Sequence, residues 1–215
     1  MPEDLTNRTN VLFWGVAKGE ATRQTILQRA FELAKTIGLS GLSIGRLAED
    51  AGLSKSGLFA HFGSKEALVV AVVEEATRQF IESVVSPALR KPRGEPRLRA
   101  LFERWILWGE QHGGCFFVGA SAELDDRPGP PRDAVVQSSK DWLDTLSTAV
   151  RITIAEGQFR PDVDAEQFAF ETYSLMAGFH AYQKFLRAPA SLDRAHQAFE
   201  RLLASARLPT PRPRS

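Results

Sequence analysis

The sequence predicts an all-α protein, and three observations carry that prediction. Apolar residues recur three and four positions apart through most of the 215 residues. Breaks built from glycine and proline, such as Gly38, Gly52, Gly63 and Pro92 to Pro96, separate these stretches. No run of alternating apolar and polar residues reads as a strand, and no internal repeat is found. With 43% hydrophobic residues the chain can bury a sizeable core, enough for two small domains or one large one.

Residues 1–19 read as an N-terminal extension with no clear period, holding Leu12, Phe13 and Trp14. A basic arm reaching a minor groove would rest there on Arg8 and Lys18 alone. A first helix runs from Glu20 to Ile37, with Ile26, Leu27, Ala30, Phe31, Ala34 and Ile37 on one stripe and Gly38 to stop it. Ser43 caps a second helix whose Ile44, Leu47, Ala48 and Ala51 share a face, and Gly52 ends it. Ser54 caps a third helix almost at once. So short a connection forces a steep crossing, the helix-turn-helix geometry, which frees the second of the two helices to enter a major groove. Leu53, Leu58 and Phe62 can hold that helix in place, leaving Lys55, Ser56, Gly57 and His61 outside. Gly63 and Ser64 give a break and a new cap, with Glu66 suited to the positive end of a fourth helix that runs to Ser86 and stops at Pro87.

The remainder is helical as well. Leu98, Leu101, Phe102, Trp105, Ile106 and Trp108 make a strongly apolar helix closed by Gly113 and Gly114. A short helix over Cys115 to Leu124 precedes a turn with three prolines between Asp125 and Pro131. Longer helices are expected from Arg132 to Glu156, Ala165 to Arg187 and Leu192 to Arg207. The tail, residues 208–215, holds three prolines and is expected to be disordered. The domain reading is therefore a three-helix head over 20–65 and a body over 66–207.

The stretch from Thr22 to Leu68 has Arg23, Ile26-Leu27, Ala30, Gly38, Leu47-Ala48, Ala51-Gly52, Ser54-Lys55, His61-Phe62 and Ser64 to Leu68 in register, and it closely resembles the DNA-binding domain of TetR-type (tetracycline-repressor-like) transcriptional regulators. The resemblance covers about a fifth of the chain. It implies an all-helical homodimer with a DNA-binding head and an effector-binding and dimerisation body. Within the head, Arg23, Ser43, Ser54, Lys55, Phe59, His61 and Lys65 are expected on phosphates of double-stranded DNA, and Ser56, Gly57 and Leu58 near base edges. Phe59 stands where the family commonly has tyrosine, and Gly57 where a small side chain is more usual.

In the body, Trp105, Trp108, Phe117 and Tyr173 are the candidate lining of a pocket for an apolar or aromatic small-molecule effector. Ala177, Gly178 and Ala181, beside Phe185, form a small-residue patch suited to a partner helix, and the family pairs its last two helices across the dimer. The expected mechanism is repression at a palindromic operator, relieved when an effector tilts the fourth helix and changes the separation of the two heads.

Charge and cysteine content bound the alternatives. The net charge is only +1; residues 1–65 hold eight Lys/Arg against six Asp/Glu, so phosphate attraction depends on placement of a few groups rather than on bulk basicity. A single cysteine excludes an internal disulfide and fits a reducing compartment. The early apolar run Val11 to Val16 follows Glu3-Asp4 and makes a poor secretion signal, and no uncharged stretch approaches the roughly 18 residues of a membrane span. A cytoplasmic, soluble protein is the expectation. Catalysis would need His112 with Cys115, or His180 with Glu171, to converge; His112 and Cys115 also fall short of the four ligands of a zinc site. No catalytic residue, metal or cofactor is expected. A third reading is an interaction module that keeps the head without reading DNA.

Overall fold

Short polar side chains and glycines set the helix boundaries of the head. The computed structural model describes the backbone of residues 5–111 and 114–209 and the side chains of 19–110 and 114–209. The minor-groove arm, the side chains of Leu12, Phe13 and Trp14, His112, and tail residues 210–215 lie outside the described residues. The first helix, α1, spans Leu5–Ile37, so it begins well before Glu20 and its backbone takes in most of the expected extension. No proline interrupts residues 5–19, and an existing helix propagates at far lower cost than it nucleates. At its other end Gly38 takes φ 76° and donates to the Ala34 carbonyl. The second helix, α2, spans Ile44–Ala51: Ser43 Oγ accepts the Arg46 N–H, and Gly52 closes it in the left-handed region at φ 65°, where a side chain would be strained. The third, α3, spans Lys55–Phe62 and is capped by Ser54 in the same way. Ser64 Oγ accepts the Ala67 N–H at the start of α4, Lys65–Phe80.

Two compact units divide inside α4, one ending at Ala76 and the other starting at Thr77. The division falls beyond the expected Lys65 boundary because Leu68, Val69, Val72, Val73 and Ala76 are buried and belong to the first unit. Ile26, Leu27, Ala30 and Phe31 of α1, with Leu47, Leu58 and Phe62, make up the rest of its core. The Gln24 amide donates to Glu75, a carboxylate that is itself buried, at 2.9 Å. Arg29 donates to the Asp50 carbonyl and fastens α1 to the end of α2.

In the second unit the chain does not stop at Pro87. It passes through a π-helical turn, Ile81–Val85, into α5, Ser86–Leu89. Pro87 has no N–H to offer the carbonyl four residues back; that carbonyl, on Ser83, accepts instead from Arg104 at 3.2 Å. The fold continues with α6, Glu95–Gln111, α7, Phe116–Leu124, and α8, Pro130–Ala155. Then come α9, Ala165–His180, with a π-helical turn over Ala181–Phe185, and α10, Ser191–Ala206. Arg187, at φ 51°, follows this turn and ends the helix short of its expected bound. Among the described residues no strand forms; an isolated antiparallel bridge joins Phe159 and Arg207. Among them, too, no single helix is long and apolar enough to cross a membrane.

Helix α6 is the spine of this unit, with Leu98, Leu101, Phe102, Trp105, Ile106 and Trp108 all buried. Phe102 stacks on Phe199 of α10 with ring centroids 3.9 Å apart. At the start of α6, Glu95 receives Arg99 from the next turn and a two-bonded Arg207 from beyond α10, while Arg99 also bonds Glu200. The Arg207 hydrogen bonds, working against burial and helped by Arg99, hold the Glu95 carboxyl below the usual carboxylate range.

Leu58 is fully buried, so it is a packing residue and not the base-edge neighbour the sequence reading made it. Leu58→Ala is expected to lower stability by about 2–5 kcal/mol. Ser56→Ala, at an exposed neighbour, should change it by no more than about 0.5 kcal/mol, and urea denaturation separates the two. Glu95 gives a pH signature. Its lowered folded-state pKa contributes stability that is fully present above the unfolded carboxylate pKa and is lost as pH falls through the folded value. Glu95→Gln should therefore be less stable than the parent at neutral pH, and the gap should close as pH drops below about 4, in denaturation curves taken across that range.

Candidate nucleic-acid interface and body cavity

An eight-residue helix presents its outer face only if its inner face is held. Leu58 and Phe62 provide the hold for α3, and Ser54 Oγ fixes its first turn by accepting the Gly57 N–H at 3.0 Å. Lys55, Ser56, Phe59 and Ala60 are then exposed and Gly57 is half-buried. Phe59 leaves 53% of its surface in water, unusual for a ring that a core could use. A Cβ on Gly57 would meet only Ser54 Oγ, at 3.1 Å, so the glycine leaves a shallow dent in the helix face. Gly45 of α2 plays a related part, since a Cβ there would come within 3.2 Å of Lys55 Cε. Its absence lets the lysine stem lie close to α2.

The remaining head candidates are placed differently from one another. Ser43 and Ser54 spend their oxygens on backbone caps, which leaves hydroxyl protons as their donors; Ser54 Oγ also lies 3.2 Å from Ser56 Oγ. Lys65 is exposed, and its Nζ donates to the Ser40 carbonyl at 3.2 Å. His61 is half-buried beside Phe62. Arg23 is half-buried too: its guanidinium lies over the Phe62 ring, 5.3 Å from the centroid, and 3.7 Å from Glu20. It clamps α1 onto the end of α3. Sequence reasoning passed over Gly45 and the exposed Arg46, although both lie in the first turn of a helix whose cap it had identified.

In the second unit a cavity of about 220 Å³ lies among Thr77, Phe80, Ile81, Val85, Trp105, Phe117, Ser138, Ser139, Asp141, Trp142, Thr145 and Tyr173. Trp105, Phe117 and Tyr173, grouped from the sequence as pocket candidates, are brought together in this lining. Trp108 does not line it; its ring packs edge-on against Phe80, 5.5 Å away. Phe80 and Trp142 were missed as wall residues. Their rings are nearly perpendicular at 5.0 Å, and Trp105 meets Trp142 at 5.1 Å. Trp142 is 7% exposed, and its Nε1 is buried without a hydrogen-bond partner. A neighbouring cavity of about 300 Å³ shares Ser139 and Tyr173 and includes Arg132 and Lys140.

Cys115 is buried against this wall, with the Trp105 indole N–H donating to its Sγ at 3.3 Å. Burial pushes its thiol above the usual range, away from the thiolate a nucleophile requires. His180 Nδ1 accepts the Cys115 backbone N–H at 2.8 Å, and burial followed by Lys184 keeps the imidazole below its ordinary pKa. The ring is thus a neutral acceptor joining α7 to α9. Glu171 is occupied elsewhere, accepting from Gln167.

Along α9 and its π-helical turn, Phe170, Ser174, Gly178, Ala181, Tyr182 and Phe185 are exposed, Phe185 by 85%, and Ala177 is half-buried. The small residues lie between large rings on one helical stripe.

Two family models match the chain. Residues 26–72 match the bacterial regulatory proteins of the tetR family, and residues 94–199 match a tetracyclin repressor-like C-terminal domain. The transcriptional repressor AcnR of Corynebacterium efficiens is 36% identical over 165 residues, 74% of this chain and 79% of that protein. A TetR-family regulator from Cytophaga hutchinsonii superposes with a TM-score of 0.82 at 22% identity, covering 90% of this chain and 98% of its own. AibR, solved with isovaleryl coenzyme A and operator DNA, superposes with a TM-score of 0.67 at 23% identity, covering 88% of this chain and all of its own. A capped, outward-facing α3, a repressor relative across three quarters of the sequence and regulators rather than enzymes among these matches lead to one conclusion: the chain belongs to the TetR family of DNA-binding transcriptional regulators.

Proposed function

We propose that the protein is a cytoplasmic repressor that binds a palindromic operator as a homodimer and leaves it when a small apolar or aromatic effector occupies the cavity beside Trp105, Phe117 and Tyr173. The observation that carries this reading is α3 itself, anchored by Leu58 and Phe62 with Lys55, Ser56, Gly57 and Phe59 left to a partner. In a two-fold dimer the two copies of α3 enter successive major grooves about 34–36 Å apart. Lys55, Lys65, His61 and the Ser43 and Ser54 hydroxyls set position on phosphates, with Arg23 held nearer the helix core. Ser56 and Gly57 lie next to base edges, and the dent at Gly57 allows close backbone approach.

The exposed stripe from Phe170 to Phe185, with Ala177, Gly178 and Ala181 at its centre, is the proposed dimer contact. Its large exposed rings and small intervening residues support that role. AibR, which shares the fold, has been captured with both an acyl-coenzyme A and operator DNA, and that precedent supports one chain of this fold serving both a small ligand and an operator. Release requires that the effector bind the DNA-incompetent state more tightly; near-complete switching needs about 5.5 kcal/mol of difference.

Selection from fragmented genomic DNA at physiological salt tests the reading, with a palindromic site as the expected product. On that site Lys65→Ala should weaken binding to all sequences and lower the salt slope by about one, while Gly57→Ala should alter base preference and leave the slope intact. Equal slope changes in both variants would contradict the assigned roles. Phe185→Asp should convert the dimer to monomer in sedimentation and abolish operator binding without unfolding the protein, since the side chain is exposed.

A further inference from the structure

We propose that the cavity beside Trp142 takes a small organic cation of the ammonium type in preference to a neutral molecule of the same shape. This rests on reading the cavity as the effector site, and it names the class of ligand that the walls select.

The first support is the wall material. Phe80, Trp105, Phe117, Trp142 and Tyr173 all line the cavity. Phe80 stands nearly perpendicular to Trp142 at 87° and to Phe117 at 80°, and Trp105 lies at 76° to Trp142, so the rings form walls that meet at angles. Aromatic faces carry negative potential and attract a positive charge lodged among them, the more strongly when water is excluded.

The second support is the charge inventory of the lining. Asp141 is its carboxylate, and it contains no lysine, arginine or histidine. Asp141 is exposed, with Oδ1 accepting from Gln137 at 2.8 Å, so its negative charge is not neutralised by that partner. An anion in this cavity would meet ring faces and a carboxylate with nothing to balance it. Arg132 and Lys140 belong to the neighbouring cavity and are absent from this lining.

Size sets the remaining limit: about 220 Å³ exceeds the roughly 150 Å³ of an engineered cavity that holds benzene. One ring with a trimethylammonium group fits that allowance.

Calorimetric titration of the full-length protein with (4-hydroxyphenyl)trimethylammonium and with 4-tert-butylphenol tests the proposal, because the two share a shape and differ in charge. The cation should bind about tenfold more tightly. Asp141→Asn, a surface change, should narrow that ratio severalfold, and Trp142→Phe, which leaves a weaker cation-binding ring, should weaken the cation more than the phenol. Equal or tighter binding of the phenol by the wild-type protein, or no binding of either at millimolar concentration, overturns the cation preference. An unchanged ratio in Asp141→Asn also counts against it. The effector reading is tested separately by adding the cation to the protein–operator complex: binding without release of DNA would refute that reading and leave the cation site standing.

Discussion

The burial of Leu58 and Phe62 is the contact on which the head depends. A helix of eight residues has too few hydrogen bonds to pay its own nucleation cost, so α3 exists because its inner face is packed. That packing fixes the rotation of the helix, and rotation decides which residues face outward. Leu58 goes in, so Phe59, with the more polar Lys55 and Ser56, goes out. Gly57 weakens the helix by roughly 0.5–1 kcal/mol relative to alanine, a cost tolerable only because the anchoring leucine is the next residue. Arg23 stacked over Phe62 adds a lid to the same anchor from α1. The outward surface is thus a consequence of core packing.

Much of the head was legible because its signals are local. Ser43, Ser54 and Ser64 each stand at the position where their oxygen meets a backbone N–H three residues on, and Gly52 stands where the chain turns left-handed. The start of α1 was not legible, because residues 5–19 carry neither an amphipathic stripe nor a cap, and helix was inferred only where a stripe began. Pro87 misled for a different reason. Its lost hydrogen bond is made good by Arg104, whose place beside Ser83 is a tertiary fact with no trace in the local sequence.

The cavity was legible in part. Residue type pointed to Trp105, Phe117 and Tyr173, but type alone could not separate Trp105 from Trp108. Three positions along a helix turn a side chain by about 60° from its predecessor, enough to leave one indole in the wall and carry the other behind Phe80. Asp141 and Trp142 were overlooked because α8 looks like an ordinary amphipathic helix whose polar residues face water. Their importance comes from what lies opposite, on α4, α6 and α9, and that arrangement is set by packing across distances of sequence that no periodicity records.

The same packing explains why residue types associated with catalysis stay inert here. Gly114, at φ 123°, brings the chain so close to α9 that a Cβ on it would lie 2.6 Å from His180 Cε1. His180 can therefore reach the Cys115 N–H, which sits at the entrance to α7 where helix donors lack internal partners. The histidine satisfies that donor, and the buried thiol accepts from Trp105. One wall of the cavity is thereby tied to the last turn of α9. Tyr173, on the same helix, lines the cavity, and Gly178 and Phe185 further along carry the exposed stripe. A ligand that displaces Tyr173 acts on a helix whose other face is the proposed dimer contact, and one that displaces Trp105 of α6 reaches that helix through Cys115 and His180. In the proposed dimer, occupancy of the cavity would reach the contact through α9, without any need for a longer chain of contacts.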